Sequence, residues 1–71
     1  MKVVFNKTMT GVKIKALLLQ SVEKKEKLNI SKKTLSLYES GNKIPSIKNL
    51  IKLCNYYNCS IDDVLCYELE Q

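Results

Sequence analysis

Histidine is absent from the sequence, and glycine and proline are scarce: the 71 residues include two glycines and one proline. Without histidine there is no mixed cysteine–histidine zinc site, and there is no glycine-rich loop of the kind that cradles a phosphate group in enzymes. We therefore expect a protein that is not an enzyme and that needs no metal or cofactor. With an apolar content of 45%, so few glycines and prolines predict one compact, all-α domain.

Long apolar runs are also missing. The sequence contains no stretch of about 18 apolar residues that could span a membrane, and polar residues follow Phe5 too soon for a signal peptide. We expect a cytoplasmic protein that does not contact a membrane. In that compartment Cys54, Cys59 and Cys66 are expected to be small buried apolar side chains, not disulfide partners or metal ligands.

Positive charge is missing from the last part of the chain. All 12 lysines lie at or before Lys52 and are opposed there by three acidic residues, so residues 1–52 carry a net charge of +9. The residues after Lys52 contain no cation and four acids: Asp62, Asp63, Glu68 and Glu70. A charge of +9 can attract a polyanion such as nucleic acid. On charge alone, however, a lysine-rich solvated surface is the simpler interpretation.

Caps and apolar spacing predict about five short helices. The first begins at Thr10. The charged run at residues 23–27 either continues this helix or forms a separate short helix capped by Ser21, and a break near Gln20 and Ser21 is the favoured interpretation. The inner face of the first helix is apolar at helical spacing: Ile14, Leu17, Leu18 and Val22. The second helix has no comparable apolar face, so its extent is the least defined by the sequence.

The third and fourth helices have clear starts and stops. Ser31 is a good N-cap for the third helix, and Gly41 supplies the left-handed residue that ends it. Ser46, directly after Pro45, caps the fourth helix, and Asn58 can take the left-handed position at its end. The two helices are therefore joined by a short polar turn.

The two ends of the chain carry weaker signals. Ser60 caps a fifth helix, with Asp63 at the capping-box position. No strand pairing is predicted, although a short extended segment at the start of the chain is compatible with the sequence. We therefore expect an N-terminal arm at residues 1–9, a helical domain at 10–66 and a frayed C-terminal tail at 67–71.

One part of the sequence combines several characteristic spacings. It reads EKLNISKKTLSLYESG at residues 26–41, followed by IPS at 44–46, LIKL at 50–53 and SIDDVL at 60–65. This pattern resembles the Cro and CI class of helix-turn-helix repressors, the XRE-like family. The matching positions are Ser31, Thr34, Tyr38, Glu39, Gly41, Pro45, Ser46 and Ser60. The resemblance implies a small lambda-repressor-like bundle that contains a helix-turn-helix.

The resemblance also implies a DNA-binding site. In that family the helix after Ser31 is the recognition helix, which lies in the major groove. Matched position by position, the implied base contacts come from Lys32, Lys33, Thr34, Ser36 and Leu37, and the implied phosphate contacts from Asn42 and Lys43. A helix N-terminus attracts phosphate by itself, and lysines beside it strengthen the attraction. The plain alternative is that these are ordinary surface lysines.

Three features depart from the family pattern. The segment between Ile14 and Leu28 is shorter by about one helical turn. In the second helix, Lys24 and Lys25 replace an inward Leu–Ala pair, and because unpaired lysines are rarely buried, this helix is either redrawn or weakened. Leu37 is apolar where relatives carry a polar base reader, so it meets a thymine methyl group or belongs to a protein interface.

Two functions remain open from the sequence. The first is a sequence-specific transcription regulator of the phage-repressor type that binds double-stranded operator DNA as a homodimer. The second is an antirepressor, or modulator of repression, that uses the same scaffold to bind a partner repressor protein. The altered second helix, Leu37 and the apolar segment at residues 3–5 favour the second function, whereas the lysines around Ser31 favour the first.

Overall fold

The computed structural model of the chain describes residues 1–71, except for the side chain of Val22. It is mostly helical, with these elements in chain order: β1 (Lys2–Phe5), α1 (Lys7–Leu18), α2 (Val22–Lys27), α3 (Lys32–Glu39), α4 (Ile47–Tyr57), a 3₁₀ turn (Ile61–Asp63) and β2 (Tyr67–Glu70). The expected helical bundle is therefore present. It contains four α-helices where about five helices were predicted.

The fifth predicted helix is a single 3₁₀ turn. Ser60 and Asp63 form the predicted capping box, and the Ser60 N–H donates to Asp63 Oδ2 at 3.0 Å. The turn does not continue into a helix because the backbone of the following residues bonds elsewhere: the Cys66 N–H donates to Thr10 Oγ1, and β2 pairs with β1. The predicted start signal was therefore correct, but tertiary contacts of the following residues set the length.

The two chain ends form an antiparallel sheet in which Phe5 pairs with Tyr67. The prediction of an all-α fold without strand pairing, with a frayed tail at residues 67–71, is wrong on this point. The sheet joins α1 through two hydrogen bonds: the Asn6 N–H donates to the Cys66 carbonyl oxygen at 2.8 Å, and the Cys66 N–H donates to Thr10 Oγ1 at 2.9 Å. These bonds hold the C-terminal segment against the start of α1 and satisfy the buried Thr10 hydroxyl.

The helix α1 begins at Lys7, three residues before the predicted Thr10. Its N-cap is Asn6, whose side chain accepts a hydrogen bond from the Met9 N–H at 2.9 Å. The polar residues at 6–8 thus form the start of a helix and not a linker. The predicted break before Ser21 is confirmed, because the Ser21 side chain accepts from the Lys24 N–H and caps α2.

The hydrophobic core consists of residues from α1, α3 and α4 and of the residues that directly follow α2 and the 3₁₀ turn. Its buried apolar residues are Ile14, Leu18, Leu28, Leu35, Tyr38, Leu50, Leu53, Tyr57 and Val64. Cys54 and Cys59 pack against this core but, like Cys66, are only half-buried, and all three thiols are free. The prediction that Val22 shares the inner face of the first helix concerns a side chain outside the described residues.

Glycine lets α1 pack directly on the C-terminal end of α3. A Cβ atom on Gly11 would overlap the carbonyl oxygen of Tyr38 and would lie 3.0 Å from that of Glu39. From the other side, a Cβ atom on Gly41 would lie 3.1 Å from the Cα atom of Thr8. The backbones of the two helices are therefore closer than any side chain at position 11 would allow, and α1 supports α3.

The second helix is short, as the departures from the family pattern indicated. It has six residues, against twelve in α1. Lys24 and Lys25 are not buried: Lys24 is exposed and Lys25 is half-buried. The Lys24 ammonium lies 5.7 Å from the centre of the Tyr57 ring, within range of a cation–π contact. The lysines that replace an apolar pair therefore lie at the edge of the core.

Candidate nucleic-acid interface

The N-terminus of α3 is fixed by a serine–threonine cap. The Thr34 N–H donates to Ser31 Oγ at 3.1 Å, and the Ser31 hydroxyl donates to Thr34 Oγ1 at 2.8 Å. Ser31 therefore caps the helix as predicted. Because Thr34 is half-buried and its hydroxyl oxygen already accepts from Ser31, Thr34 serves the cap first and has limited freedom to meet a base.

The first turn of α3 presents two unneutralised lysines. Lys32 and Lys33 are exposed, and no acidic residue lies in this turn. Within the part of the chain that the structure describes, the ion pair found joins Lys27 to Glu23 in α2, at 3.0 Å. The positive end of the α3 dipole and two exposed lysines thus lie in the same turn of the helix, an arrangement that attracts an anion.

The next turn of α3 carries the other predicted base-contact residues. Ser36 is exposed and Leu37 is half-buried. The structure thus places all five predicted base-contact residues on one short helix, but with unequal access: Lys32, Lys33 and Ser36 are open to a ligand, whereas Thr34 and Leu37 are partly covered.

The turn after α3 is a Schellman motif. Gly41 has a left-handed φ of 77°, and the Asn42 N–H donates to the Leu37 carbonyl oxygen at 3.0 Å. The Asn42 side chain is held in place because its Nδ2 donates to Ser40 Oγ at 2.8 Å. Asn42 and Lys43 are both exposed. The predicted stop at Gly41 is confirmed, and it presents the two predicted phosphate-contact residues together.

Tyr38 connects the candidate recognition helix to α4. Its side chain is fully buried, and its hydroxyl oxygen accepts a hydrogen bond from Asn49 Nδ2 at 2.8 Å. Asn49 lies in the first turn of α4, where its N–H is capped by Ser46 Oγ at 3.3 Å. Asn49 was not predicted as a positioning residue, because no local pattern distinguishes an asparagine that reaches across to another helix.

The close packing of α3 is against α1, and one side-chain hydrogen bond joins α3 to α4. An open groove of about 420 Å³ lies between α2 and α3, and its lining residues are Lys25, Glu26, Ile30, Lys32 and Leu35. Because α2 is short and this groove is open, α2 does not pack along the length of α3. The scaffold role that a second helix has in the family pattern is thus weakened here, and Gly11 in α1 provides the close support.

A further lysine lies beside the turn that follows α3. A second opening, of about 400 Å³, is lined by Val4, Phe5, Asn6, Lys7, Thr8, Gly41 and Glu68. Lys7 is exposed at the start of α1, and Gly41 brings the turn with Asn42 and Lys43 to the same opening. Lys7 was not predicted as a site residue, because only the packing of α1 on α3 brings it to this opening.

The described residues form neither a metal-binding cluster nor a membrane-spanning helix. Among the residues that the structure describes, no three histidine, cysteine or acidic side chains are grouped so that they could hold a metal ion. In the same described chain, no helix has the length and apolar character needed to cross a membrane.

Comparison with known proteins identifies the family. The helix-turn-helix family model HTH_3 matches residues 14–64, a range that runs from α1 to the residue after the 3₁₀ turn. No curated protein and no solved structure matches the chain. The matched family consists of DNA-binding regulatory domains and not of enzymes. The chain therefore belongs to the Cro/CI-like, XRE-type helix-turn-helix family.

Proposed function

We propose that the protein is a sequence-specific transcription regulator of the phage-repressor type, which reads the major groove of operator DNA with α3. The observation that carries this proposal is the capped N-terminus of α3, where Lys32 and Lys33 are exposed and lack an acidic partner among the described ion pairs. A structural role would not require two unpaired cations at the positive end of a helix dipole.

Each predicted residue has a role that fits its position. Lys32 and Lys33 donate to guanine O6 and N7, the commonest specific contact in the major groove. Ser36 lies one turn further along and donates to a base edge, while the half-exposed Leu37 meets a thymine methyl group. Thr34, already bonded to Ser31, contributes its methyl group or a single hydrogen bond.

The turn after α3 holds the DNA backbone. Asn42 and Lys43 follow Gly41 directly, and Lys7 lines the same opening as Gly41. Contacts to phosphate fix the register of a protein on the duplex without reading its sequence. We therefore assign Asn42, Lys43 and Lys7 to backbone contacts, with two copies of the protein on half-sites about one helical turn, roughly 34 Å, apart.

Fluorescence anisotropy tests this function. The purified protein is titrated into labelled DNA from around its own gene and into an unrelated duplex, at several salt concentrations. We expect selective binding, with a log–log salt slope of about 0.9 per phosphate neutralised. Equal and weak binding to both duplexes would refute the proposal.

A pair of double variants separates specific contacts from general charge. We expect Lys32→Ala/Lys33→Ala to weaken operator binding at least tenfold and to remove most of the selectivity, because each good base contact contributes about 1–3 kcal/mol. The matched control is Lys15→Ala/Lys48→Ala, which removes two exposed lysines that lie in α1 and α4 and to which no DNA or dimer contact is assigned. An equal loss of selectivity in the control would contradict the assignment.

A second candidate function rests on Leu37. An apolar, half-exposed side chain in the middle of the α3 surface also suits contact with a partner repressor, as in an antirepressor. The variant Leu37→Glu distinguishes the two: a regulator that reads DNA loses operator affinity, whereas an antirepressor loses regulation in cells while its DNA binding, if measurable, is unchanged.

A further inference from the structure

The terminal sheet has one apolar face. Val3 pairs with Leu69, and Phe5 pairs with Tyr67. Since side chains alternate between the two faces of a strand, these four residues project from the same face. They are 51%, 56%, 47% and 47% exposed, respectively, and none of them belongs to the hydrophobic core. We call this surface the apolar sheet face.

The opposite face of the sheet is charged. Lys2 pairs with Glu70, and Val4 pairs with Glu68. Lys2, Glu68 and Glu70 are exposed, whereas Val4 is half-buried and lines the opening beside α1. The charged face therefore already has water and the body of the protein as its surroundings, and only the apolar sheet face lacks a partner.

A small sheet with one uncovered apolar face is an unusual structure. An isolated two-stranded sheet is at best marginally stable in water, and it gains stability when its apolar face is packed against another element. Contiguous apolar patches on a monomer usually mark an interaction site. Here the strands are held at one end by the Asn6–Cys66 and Cys66–Thr10 hydrogen bonds, but about half of the surface of Val3, Phe5, Tyr67 and Leu69 remains exposed.

We propose that a second copy of this chain packs on the apolar sheet face, face to face, to form the homodimer. The charge distribution favours this occupant. Each copy carries a net charge of +5, so two copies repel each other over most of their surfaces. The sheet lacks this excess of cations: its charged residues, Lys2, Glu68 and Glu70, give it a net charge of −1. Two copies therefore repel each other less when they meet at the sheet than when they meet at the lysine-rich helices.

Packing of faces fits better than pairing of strand edges. Edge-to-edge pairing of β2 with its copy would bring Glu68 and Glu70 of both chains together, and like charges opposite each other destabilise a sheet. Face-to-face packing leaves all these carboxylates in water. DNA is not the occupant of the apolar sheet face, because this apolar surface and its acidic neighbours offer a phosphate group no cation.

The available area predicts a weak dimer. A half-exposed aromatic side chain still offers roughly 100 Å², so the four side chains supply about half of the roughly 800 Å² per partner that a stable interface buries. The dimer should therefore form at high protein concentration and be consolidated on DNA. This last step rests on the proposed function, in which two half-sites bring two copies together.

Sedimentation equilibrium without DNA tests the interface. We expect wild-type protein to change from monomer to dimer as its concentration rises. The variant Leu69→Gln should weaken the dimer about thirtyfold, because each dimer loses two half-exposed leucines. The matched control Leu19→Gln changes a leucine that is 77% exposed but lies after α1, and it should leave the dimer unchanged.

A second measurement needs no variant. Methyl and aromatic NMR signals of Val3, Phe5, Tyr67 and Leu69 should shift when the wild-type protein is diluted, and those of Leu19 should not. A wild-type protein that is monomeric at every concentration, or a dimer weakened equally by both leucine changes, would overturn the proposal. Since no DNA is present, a dimer that later shows no selective DNA binding refutes the proposed function and leaves the sheet dimer standing.

Discussion

Replacement of Gly11 by alanine tests whether the close packing of α1 fixes α3, the proposed recognition helix. The added Cβ atom would overlap the Tyr38 carbonyl oxygen and would lie 3.0 Å from the Glu39 carbonyl oxygen and 3.1 Å from the Gly41 nitrogen. All three are backbone atoms, which cannot rotate away as a side chain does. The two helices must therefore separate, and α3 must move relative to the rest of the bundle.

The expected change in the free energy of unfolding on Gly11→Ala is the sum of two opposing effects. Forcing an extra methyl group into a packed contact costs about 1–3 kcal/mol, and a backbone overlap at Gly11 belongs at the upper end of that range. Alanine is a better helix former than glycine by about 1 kcal/mol, which offsets part of the cost. We expect a net loss of about 2 kcal/mol, which in a domain of this size lowers Tm by roughly 8–16 °C.

Urea unfolding followed by far-UV circular dichroism measures this loss. The control is Val12→Ala, a change at the neighbouring position of α1, where the side chain is 53% exposed; it should alter stability by less than about 0.5 kcal/mol. If Gly11→Ala instead stabilises the protein by about 1 kcal/mol, as alanine does at an exposed helical glycine, then the direct contact between α1 and α3 is refuted.

The other predictions concern single groups. Tyr38→Phe should cost about 1 kcal/mol in urea unfolding, because the Asn49 amide loses the hydroxyl that accepts its hydrogen bond. The backbone N–H of Ser60 lowers the pKa of Asp63 below its usual 3.8. The ionised Asp63 carboxylate therefore stabilises the fold above pH 3.8, and this stabilisation is lost as the pH falls through the lower pKa of the folded state. A carboxyl NMR titration measures that pKa. Burial raises the pKa of Cys54 to about 11, so the folded protein should react with iodoacetamide at this thiol more slowly than the urea-unfolded chain, as judged by peptide mass spectrometry.

Each of these has a result that would contradict it. Tyr56 is 41% exposed, so Tyr56→Phe serves as the control, and an equal loss in both variants would remove the case for the interhelical hydrogen bond. Asp63 titrating at 3.8 or above in the folded protein would show that the capping box does not hold its carboxylate. Labelling of Cys54 at the same rate with and without urea would mean that its thiol is not protected by burial.

Close support by α1 has a consequence for function. In this chain α2 is short and an open groove separates it from α3, so the orientation of α3, the proposed recognition helix, depends on Gly11, Gly41 and the Tyr38–Asn49 hydrogen bond. Variants at these positions should reduce selectivity for the operator even under conditions where the protein is folded, because α3 would present Lys32 and Lys33 at a changed angle.

The features that the sequence predicted correctly are local ones. Ser21, Ser31 and Ser46 cap helices as expected, and Gly41 and Asn58 take left-handed conformations at helix ends, with φ of 77° and 53°. A cap depends on a side chain and on backbone groups three or four positions away. The residue order alone therefore decides where these helices begin and end.

The candidate site was predictable only in part. The family pattern selected the helix after Ser31, and membership of the helix-turn-helix family is confirmed by the match over residues 14–64. The DNA contacts of Lys32, Lys33 and their neighbours stay predictions. Lys7 and Asn49 were missed, because their roles depend on which elements lie beside them and not on the residues next to them in the chain.

The sequence by itself thus determined membership of the helix-turn-helix family, the basic character of the first 52 residues and those helix ends that are set by capping residues. Only the tertiary structure decided that the chain ends form a sheet and that α1 supports α3 through Gly11. The physical reason is the distance along the chain: the hydrogen bond between Cys66 and Thr10 joins residues 56 positions apart. Such a contact forms only after the core has brought both segments together, so no local pattern of residues encodes it.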